Sequence, residues 1–476
     1  MGQHHQGKVD MTSSSSSSSK STRTPPTNNK NKFSDRISEL KHQLSHEDFN
    51  NDETTLEQVL SAQQFNSASP MIQNHHNITN SVSPMKNPSQ DQAVVPHEVV
   101  SSTEIINLIF DTDIASDIDD SLALLSLLHL PSECVRVIGV TTVYGYVEIR
   151  SAVSRRIIQA HEQDLGIKLD IPIVTGSNYP IHEPVVLPCW HARTEGIGVL
   201  TDDEIRELKA QQDCFLDRHE LEKVYSRRAA EFISDKAQEL NGNLTIVSLG
   251  ALTNVAMALQ LNPQLPKLLK KLVFMGGGVV PVDSDLPQVF EKGKEYHCHS
   301  CHNIRQDQYA AAMVFAAGFN FYCVGHTVTH SVWFEGSVVD KMKSLSFHRG
   351  IDPYSNDNIV EEYQENYLRA THIVGTLLDV WLKHRTCSFH KPINGTCPHD
   401  ALTTYEAIFT GKFLNYVRGH FVVNEQDGRT CFLYDPNGNA HIAISWKDGM
   451  VNKMMELLKE TMFKSLNSMD SLKNFL

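Results

Sequence analysis

The stretch Ile105-Ile-Asn-Leu-Ile-Phe-Asp111-Thr-Asp113-Ile-Ala-Ser-Asp117-Ile-Asp119-Asp120 decides how the rest of the chain is read. Ile105 to Phe110 is almost continuously apolar, the pattern of a strand buried on both faces in a parallel sheet. It runs into five carboxylates, Asp111, Asp113, Asp117, Asp119 and Asp120, within ten residues. Like charges at that density repel unless a cation lies among them. Hard oxygen donors in an irregular loop suit Ca2+ better than Mg2+. The plainer alternative is a solvated loop whose Asp119 or Asp120 N-caps the following helix. Attachment to a buried strand argues instead for a metal or catalytic site.

Working outward, the spacing predicts a helix over Asp120–Leu130, a strand over Val135–Val143, a helix over Val147–His161 and a strand over Ile171–Thr175. Strands follow at Leu244–Leu249 and Leu272–Met275, the second opening into Gly276-Gly-Gly278, with a helix at Leu252–Leu259 between them. Gln306–Ala317 reads as one helix and Phe319–Val324 as a strand. Alternating strands and helices imply βαβ units in a mostly parallel, Rossmann-like open sheet flanked by helices. Ligands of such sheets lie beyond the carboxyl ends of the strands. Asp111, Gly250 and Gly276 all fall there. A β-rich stretch over Phe421–Ala443 and a helix over Val451–Lys464 complete an α/β domain spanning 101–476.

Residues 1–100 have a different character. They are rich in Ser, Asn, Gln, Thr and Pro, with a serine run from Ser13 to Ser19. Such a segment buries too little apolar surface to offset the entropy of ordering and is expected to be disordered. Phe33, Ile37, Leu40 and Leu44 recur at helical spacing within it, compatible with a transient or docking helix.

The net charge of −14 and the lack of a dense basic block argue against nucleic-acid polymers and anionic membranes as partners. A small uncharged ligand is not excluded. No run approaches the ~18 apolar residues of a membrane span, and the first ten residues lack the apolar core of a secretory signal. Nine scattered cysteines suggest reduced thiols in a cytoplasmic compartment.

Rival motifs fit less well: the EF-hand fails, and the others stay as weak alternatives. An EF-hand loop beginning at Asp111 needs Gly sixth and Glu twelfth, where Ser116 and Leu122 stand. An Asp-x-Asp phosphatase normally has Thr or Val where Ala115 stands. Cys298-His-Ser-Cys-His302 fits the haem-attachment pattern, which needs an export compartment for which no signal is present. His297, Cys298, His299, Cys301 and His302 could also bind zinc, but they crowd into six residues with no second pair to complete a fixed site.

Ile-Phe-Asp111-Thr-Asp113 followed by Asp119-Asp120-Ser-Leu-Ala-Leu resembles the signature of the inosine/uridine-type nucleoside hydrolases. The usual loop is two residues shorter. Further segments resemble that family in the same order: Gly139–Gly145, His191–Gly198, Thr245–Asn254, Phe274–Gly278, His302–Asp307 and His399-Asp400-Ala-Leu. The resemblance implies Ca2+-dependent hydrolysis of a nucleoside to free base and sugar, in purine or pyrimidine salvage, by a homo-oligomer (dimer or tetramer). It further implies calcium ligands at Asp113, Asp120, Asp400 and the Leu249 carbonyl. By the same resemblance Asp119 and Asn303 hold ribose hydroxyls, Met275 lines the sugar pocket and His191 lies in a substrate loop. Asp113 becomes the general base for water, and His399 the group that protonates or hydrogen-bonds the leaving base. Two positions depart from the pattern: Tyr146 replaces an Asn, and Cys301 replaces the Glu expected to meet the 5′-hydroxyl. A thiol replaces neither the charge nor the acceptor strength of a carboxylate. The alternative reading is therefore a relative that binds calcium and a nucleoside-like ligand without turning it over.

Overall fold

The computed structural model describes residues 105–115, 118–182, 194–214, 227–280, 289–299, 301–344, 368–389, 392–423, 429–466, 468–473 and 475–476. Among them, the apolar run after Glu104 forms β1 (Ile106–Thr112), an interior strand of a large sheet. In chain order its companions are β2 (Val135–Thr142), β3 (Ile173–Thr175), β4 (Leu244–Ser248), β5 (Leu269–Met275), β6 (Glu295–His297) and β7 (Phe321–Val324). A separate short pair follows, β8 (Phe334–Glu335) and β9 (Gly395–Thr396), and then β10 (Leu414–Val423), β11 (Thr430–Tyr434) and β12 (Ala440–Trp446) return to the large sheet.

The order across that sheet is β3-β2-β1-β4-β5-β7-β12-β10-β11-β6. All pairings from β3 to β12 are parallel. The remaining three strands continue it antiparallel. The expected mostly parallel, helix-flanked open sheet is present. Its order reverses at β1 and β4, and the crevice at such a reversal is where ligands of open parallel sheets collect.

Alternation along the strands divides the core into two layers. Leu108 and Phe110 enter the layer holding Leu122, Leu125 and Tyr405, whereas Ile109 enters the opposite layer with Ile246, Leu272 and Phe274. Val247 and Val273 alternate into the first layer. Full burial of each such side chain contributes about 1.5–3 kcal/mol. The central strands are thus apolar on both faces over most of their length, and the polar groups of the acidic crevice lie at their carboxyl ends.

The helices that position the site are α1 (Asp119–Leu128), α2 (Val147–Leu165), α3 (Thr253–Leu261), α4 (His302–Gln306), α5 (Gln308–Ala316), α6 (His326–Thr329) and α7 (His399–Ile408). Two expectations need correction. The single helix read over Gln306–Ala317 is broken at Asp307, whose backbone leaves the helical region (φ −151°, ψ 84°) and whose carboxylate accepts from Ala310 N–H at 2.9 Å. A side chain that competes for backbone donors starts a new helix here. The β-rich stretch near the end is three strands beginning at Leu414, not Phe421. The helical spacing at Phe33–Leu44 lies outside the described residues.

Candidate active site

Asp111 is the first carboxylate to be placed, and its role is structural. Register sets it opposite Thr141 of β2 and Ser248 of β4. Their hydroxyls donate to its two oxygens at 2.7 and 2.9 Å, and Asn254 Nδ2 adds a third bond at 2.8 Å. Burial pushes the Asp111 carboxyl up to about 6, against the pull of these donors. Asn254 also bonds the Thr142 carbonyl and the Ser177 amide, so one side chain of α3 ties three strand ends together.

Asp119, Asp120 and Asp400 form the acidic focus. Their carboxylates each present an oxygen, all within 4.8 Å of one another, and all three residues are buried. Asp119 and Asp120 open α1, and Asp400 lies in the first turn of α7. The Asp400 backbone N–H donates to Asp119 Oδ2 at 2.9 Å, and the Thr112 hydroxyl donates to Asp120. Two helix N-termini thus aim their positive ends at one set of anions. Three buried hard oxygen donors at that spacing fit a hard divalent cation.

Asp113 stands beside this trio rather than within it. Its carboxylate accepts from Gln306 Nε2 at 3.4 Å, and a Cβ on Gly250 would sit 2.8 Å from Val143 Cγ1 and 3.0 Å from Asp113 Cβ and Cγ, so a side chain there would push on both neighbours. Arg150 braces the turn from beneath. Its guanidinium donates to the carbonyls of Asp113, Ile114 (2.8 Å) and Tyr144 (2.6 Å), and it faces Glu195 at 3.8 Å with both side chains fully buried. Ala115, within the same turn, adopts φ +83°.

The sugar-side candidates meet at Asn303. Its amide nitrogen donates to the carbonyls of Leu249 and of Met275, the latter at 3.1 Å. Leu249 is itself fixed by its N–H to the Asp111 carbonyl at 2.8 Å. Cys301 is buried, and its sulfur would lie 2.8 Å from a Cβ on Gly276. Burial raises the Cys301 thiol above its usual range and keeps it neutral. Tyr146 is half-buried, with the Lys209 ammonium 4.8 Å from its ring centroid. His191 and Asp117 lie outside the described residues.

His399, at the start of α7, bonds through Nδ1 to the Thr329 hydroxyl at 2.7 Å. His326 and His330 of the α6 turn stack on each other at 4.5 Å, with His399 5.4 and 5.3 Å from them. Burial and mutual proximity depress both helix histidines, His330 to about 3. The sequence reading passed over Arg150, Asn254, Gln306 and this histidine pair. Arg150 had a signal, a cation flanked by Ile149, Val153 and Ile157 on the face that packs inward. The others are ordinary polar residues until the fold gathers them.

Residues 108–462 match the model of the inosine-uridine preferring nucleoside hydrolases. The chain belongs to that family. A probable uridine nucleosidase 2 of Oryza sativa subsp. japonica is 29% identical over 229 residues, 48% of this chain and 58% of the relative. The probable uridine nucleosidase 2 of Arabidopsis thaliana is 28% identical over 274 residues, covering 57% and 74%. The chain spans rather more than half the length of several curated relatives that it matches. Among solved structures, a purine-preferring ribonucleoside hydrolase from Gardnerella vaginalis superposes with a TM-score of 0.52 at 20% identity, covering 75% of this chain and 98% of that one. A plant nucleoside hydrolase gives 0.50 at 20% identity, covering 75% and 99%. This family member shares their fold.

Proposed function

We propose that this family member hydrolyses the N-glycosidic bond of a nucleoside with the help of Ca2+, and that the meeting of Asp119, Asp120 and Asp400 at two helix N-termini carries that reading. Asp120, Asp400 and the Leu249 carbonyl, with Asp113 or Asp119 completing the set, would hold the ion. When bound, a divalent cation supplies Lewis acidity and a template for vicinal sugar hydroxyls.

The protein groups then divide the work. Asp119 and Asn303 hold ribose hydroxyls, and Met275 packs against the sugar. Asp113, beside the carboxylate focus and oriented by Gln306, takes a proton from water as its oxygen bonds to C1′. The C1′–N bond breaks with its electron pair going to the base, and His399, oriented by Thr329, delivers a proton there. Buried carboxylates near C1′ stabilise the oxocarbenium-like charge that develops between these events.

Cys301 supports a second reading. A buried neutral thiol does not accept a 5′-hydroxyl as a carboxylate would, which favours an altered sugar or a binding protein without turnover. A homo-oligomer in the cytoplasm remains part of the proposal. The oligomer rests on the family resemblance alone, and the compartment on the free cysteines among the described residues.

Base release from a nucleoside panel including 2′-deoxy and 5′-modified sugars, with and without chelator, tests the proposal. Release that chelation stops and Ca2+ restores is expected, and Asp113→Asn should lower it at least ~1000-fold with the melting temperature little changed. Saturable nucleoside binding with no release from any member would establish the binding-protein reading instead.

A further inference from the structure

We propose that His326, His330 and His399 form a binding site for one divalent transition-metal ion of the Zn2+ class, separate from the carboxylate site. A ligating nitrogen from each lies within 4.8 Å of the other two. A tetrahedral ion with Zn–N bonds of about 2.1 Å needs nitrogens roughly 3.4 Å apart, so binding requires the rings to rotate toward one another. Imidazole selects Zn2+ and its neighbours, whereas the all-oxygen trio nearby selects Ca2+ or Mg2+.

Three features organise this set. His326 and His330 are four residues apart, which puts both imidazoles on one face of the turn; their rings stack at 4.5 Å with 11° between planes, and rotation of one ring would turn its in-plane lone pair toward an ion shared with the other. His399 is oriented from behind. The Thr329 hydroxyl lies 3.3 Å from the Gly325 carbonyl and 2.7 Å from His399 Nδ1; when it donates to the carbonyl, its oxygen accepts from His399 Nδ1–H. In the neutral Nδ1–H form that contact leaves the lone pair of His399 on Nε2 for a metal ion, whereas the protonated imidazolium is the form that would give a proton to a leaving base. The backbone beneath is fixed as well. Gly277 takes φ +68° and its carbonyl accepts from His326 N–H at 3.2 Å, while Gly325 approaches so closely that a Cβ there would lie 2.2 Å from the Gly277 oxygen. Gly278 holds a further imidazole, His299, by its backbone at 2.8 Å, with that ring 5.9 Å from His326. All three residues keep partial exposure to solvent.

An ion on His399 Nε2 would remove that nitrogen from the leaving base and so inhibit turnover. This consequence rests on the function proposed above; the binding itself does not. Titration of the full chain with Co2+ in a large excess of Ca2+, read by the visible absorption of the bound ion, tests the site. One equivalent should bind with the strong bands of low-coordinate Co2+, and Zn2+ should displace it. His326→Ala and His330→Gln should each weaken binding at least tenfold with an unchanged circular dichroism spectrum, and the two variants make the test independent of either one's folding. Absence of tight binding, displacement by Ca2+, or binding that survives both substitutions would overturn the proposal. Because none of these readouts involves nucleoside turnover, failure here and failure of the proposed activity are distinguishable.

Discussion

The backbone N–H of Asp400 donates to Asp119 Oδ2 at 2.9 Å, joining the first turns of two helices 281 residues apart in the chain. Asp119 thereby caps α7 from outside, where Pro398 offers no side-chain hydrogen bond. The same contact brings Asp400 to Asp120 and creates the carboxylate focus.

That focus predicts ion-dependent stability. Ca2+ held at the proposed site in the folded chain alone should, at a hundred times its dissociation constant, add about 2.7 kcal/mol. Asp400→Asn should lose most of this increment and, in chelator, melt no lower than the wild type, because one of three repelling anions is gone. Thermal melts in Ca2+ and in chelator check both halves.

Arg150 predicts a large penalty for losing one buried partner. Arg150→Met leaves Glu195 and three backbone carbonyls without their cation, which should destabilise the fold by about 3–5 kcal/mol. Exchanging both partners in Arg150→Met with Glu195→Gln should recover part of the loss. Denaturant midpoints of the single and double variants measure it.

Ala115 at φ +83° predicts the opposite sign. A non-glycine residue in that region costs about 1–2 kcal/mol, against which glycine carries extra unfolded-state entropy. Ala115→Gly should therefore be neutral to stabilising by about 1 kcal/mol, whereas Ala115→Val should destabilise. Equilibrium unfolding of the two variants separates strain from an adaptable turn.

Glu406 predicts a pH dependence away from the candidate site. It is fully buried, accepts from Gly411 N–H at 2.8 Å, Phe413 N–H at 3.2 Å and the Tyr416 hydroxyl at 3.0 Å, and lies near Lys271. Burial outweighs these partners and pushes its carboxyl up to about 7 from an ordinary 4.5. The folded protein therefore keeps a proton that the unfolded chain has released. Its stabilising contribution is fully present below pH 4.5 and is lost as pH rises through 7, by roughly 3 kcal/mol as an order of magnitude. Between pH 5 and 8 the wild type should lose stability relative to Glu406→Gln, measured as the difference between their denaturant midpoints; a constant difference would refute the ionisation.

Much of this protein was legible before folding because apolar periodicity is local. Ile106–Phe110, Leu244–Val247 and Leu272–Phe274 read as buried strands, and Asp120, Leu249, Met275 and Asp400 fall near the ends of elements whose packing layers are set by alternation. The match of residues 108–462 to one family bears out the resemblance carried by those same segments.

Which carboxylates meet was not local, and tertiary structure decided it. Five aspartates in ten residues read alike, yet strand register spends Asp111 on Thr141 and Ser248, while helix packing brings Asp119 and Asp120 to Asp400. Likewise His326 and His330 carry no more signal than any surface pair until α7 delivers His399 beside them. Residue type and spacing determine what an element is. Hydrogen-bond register and side-chain packing between distant elements determine which of its groups share a site.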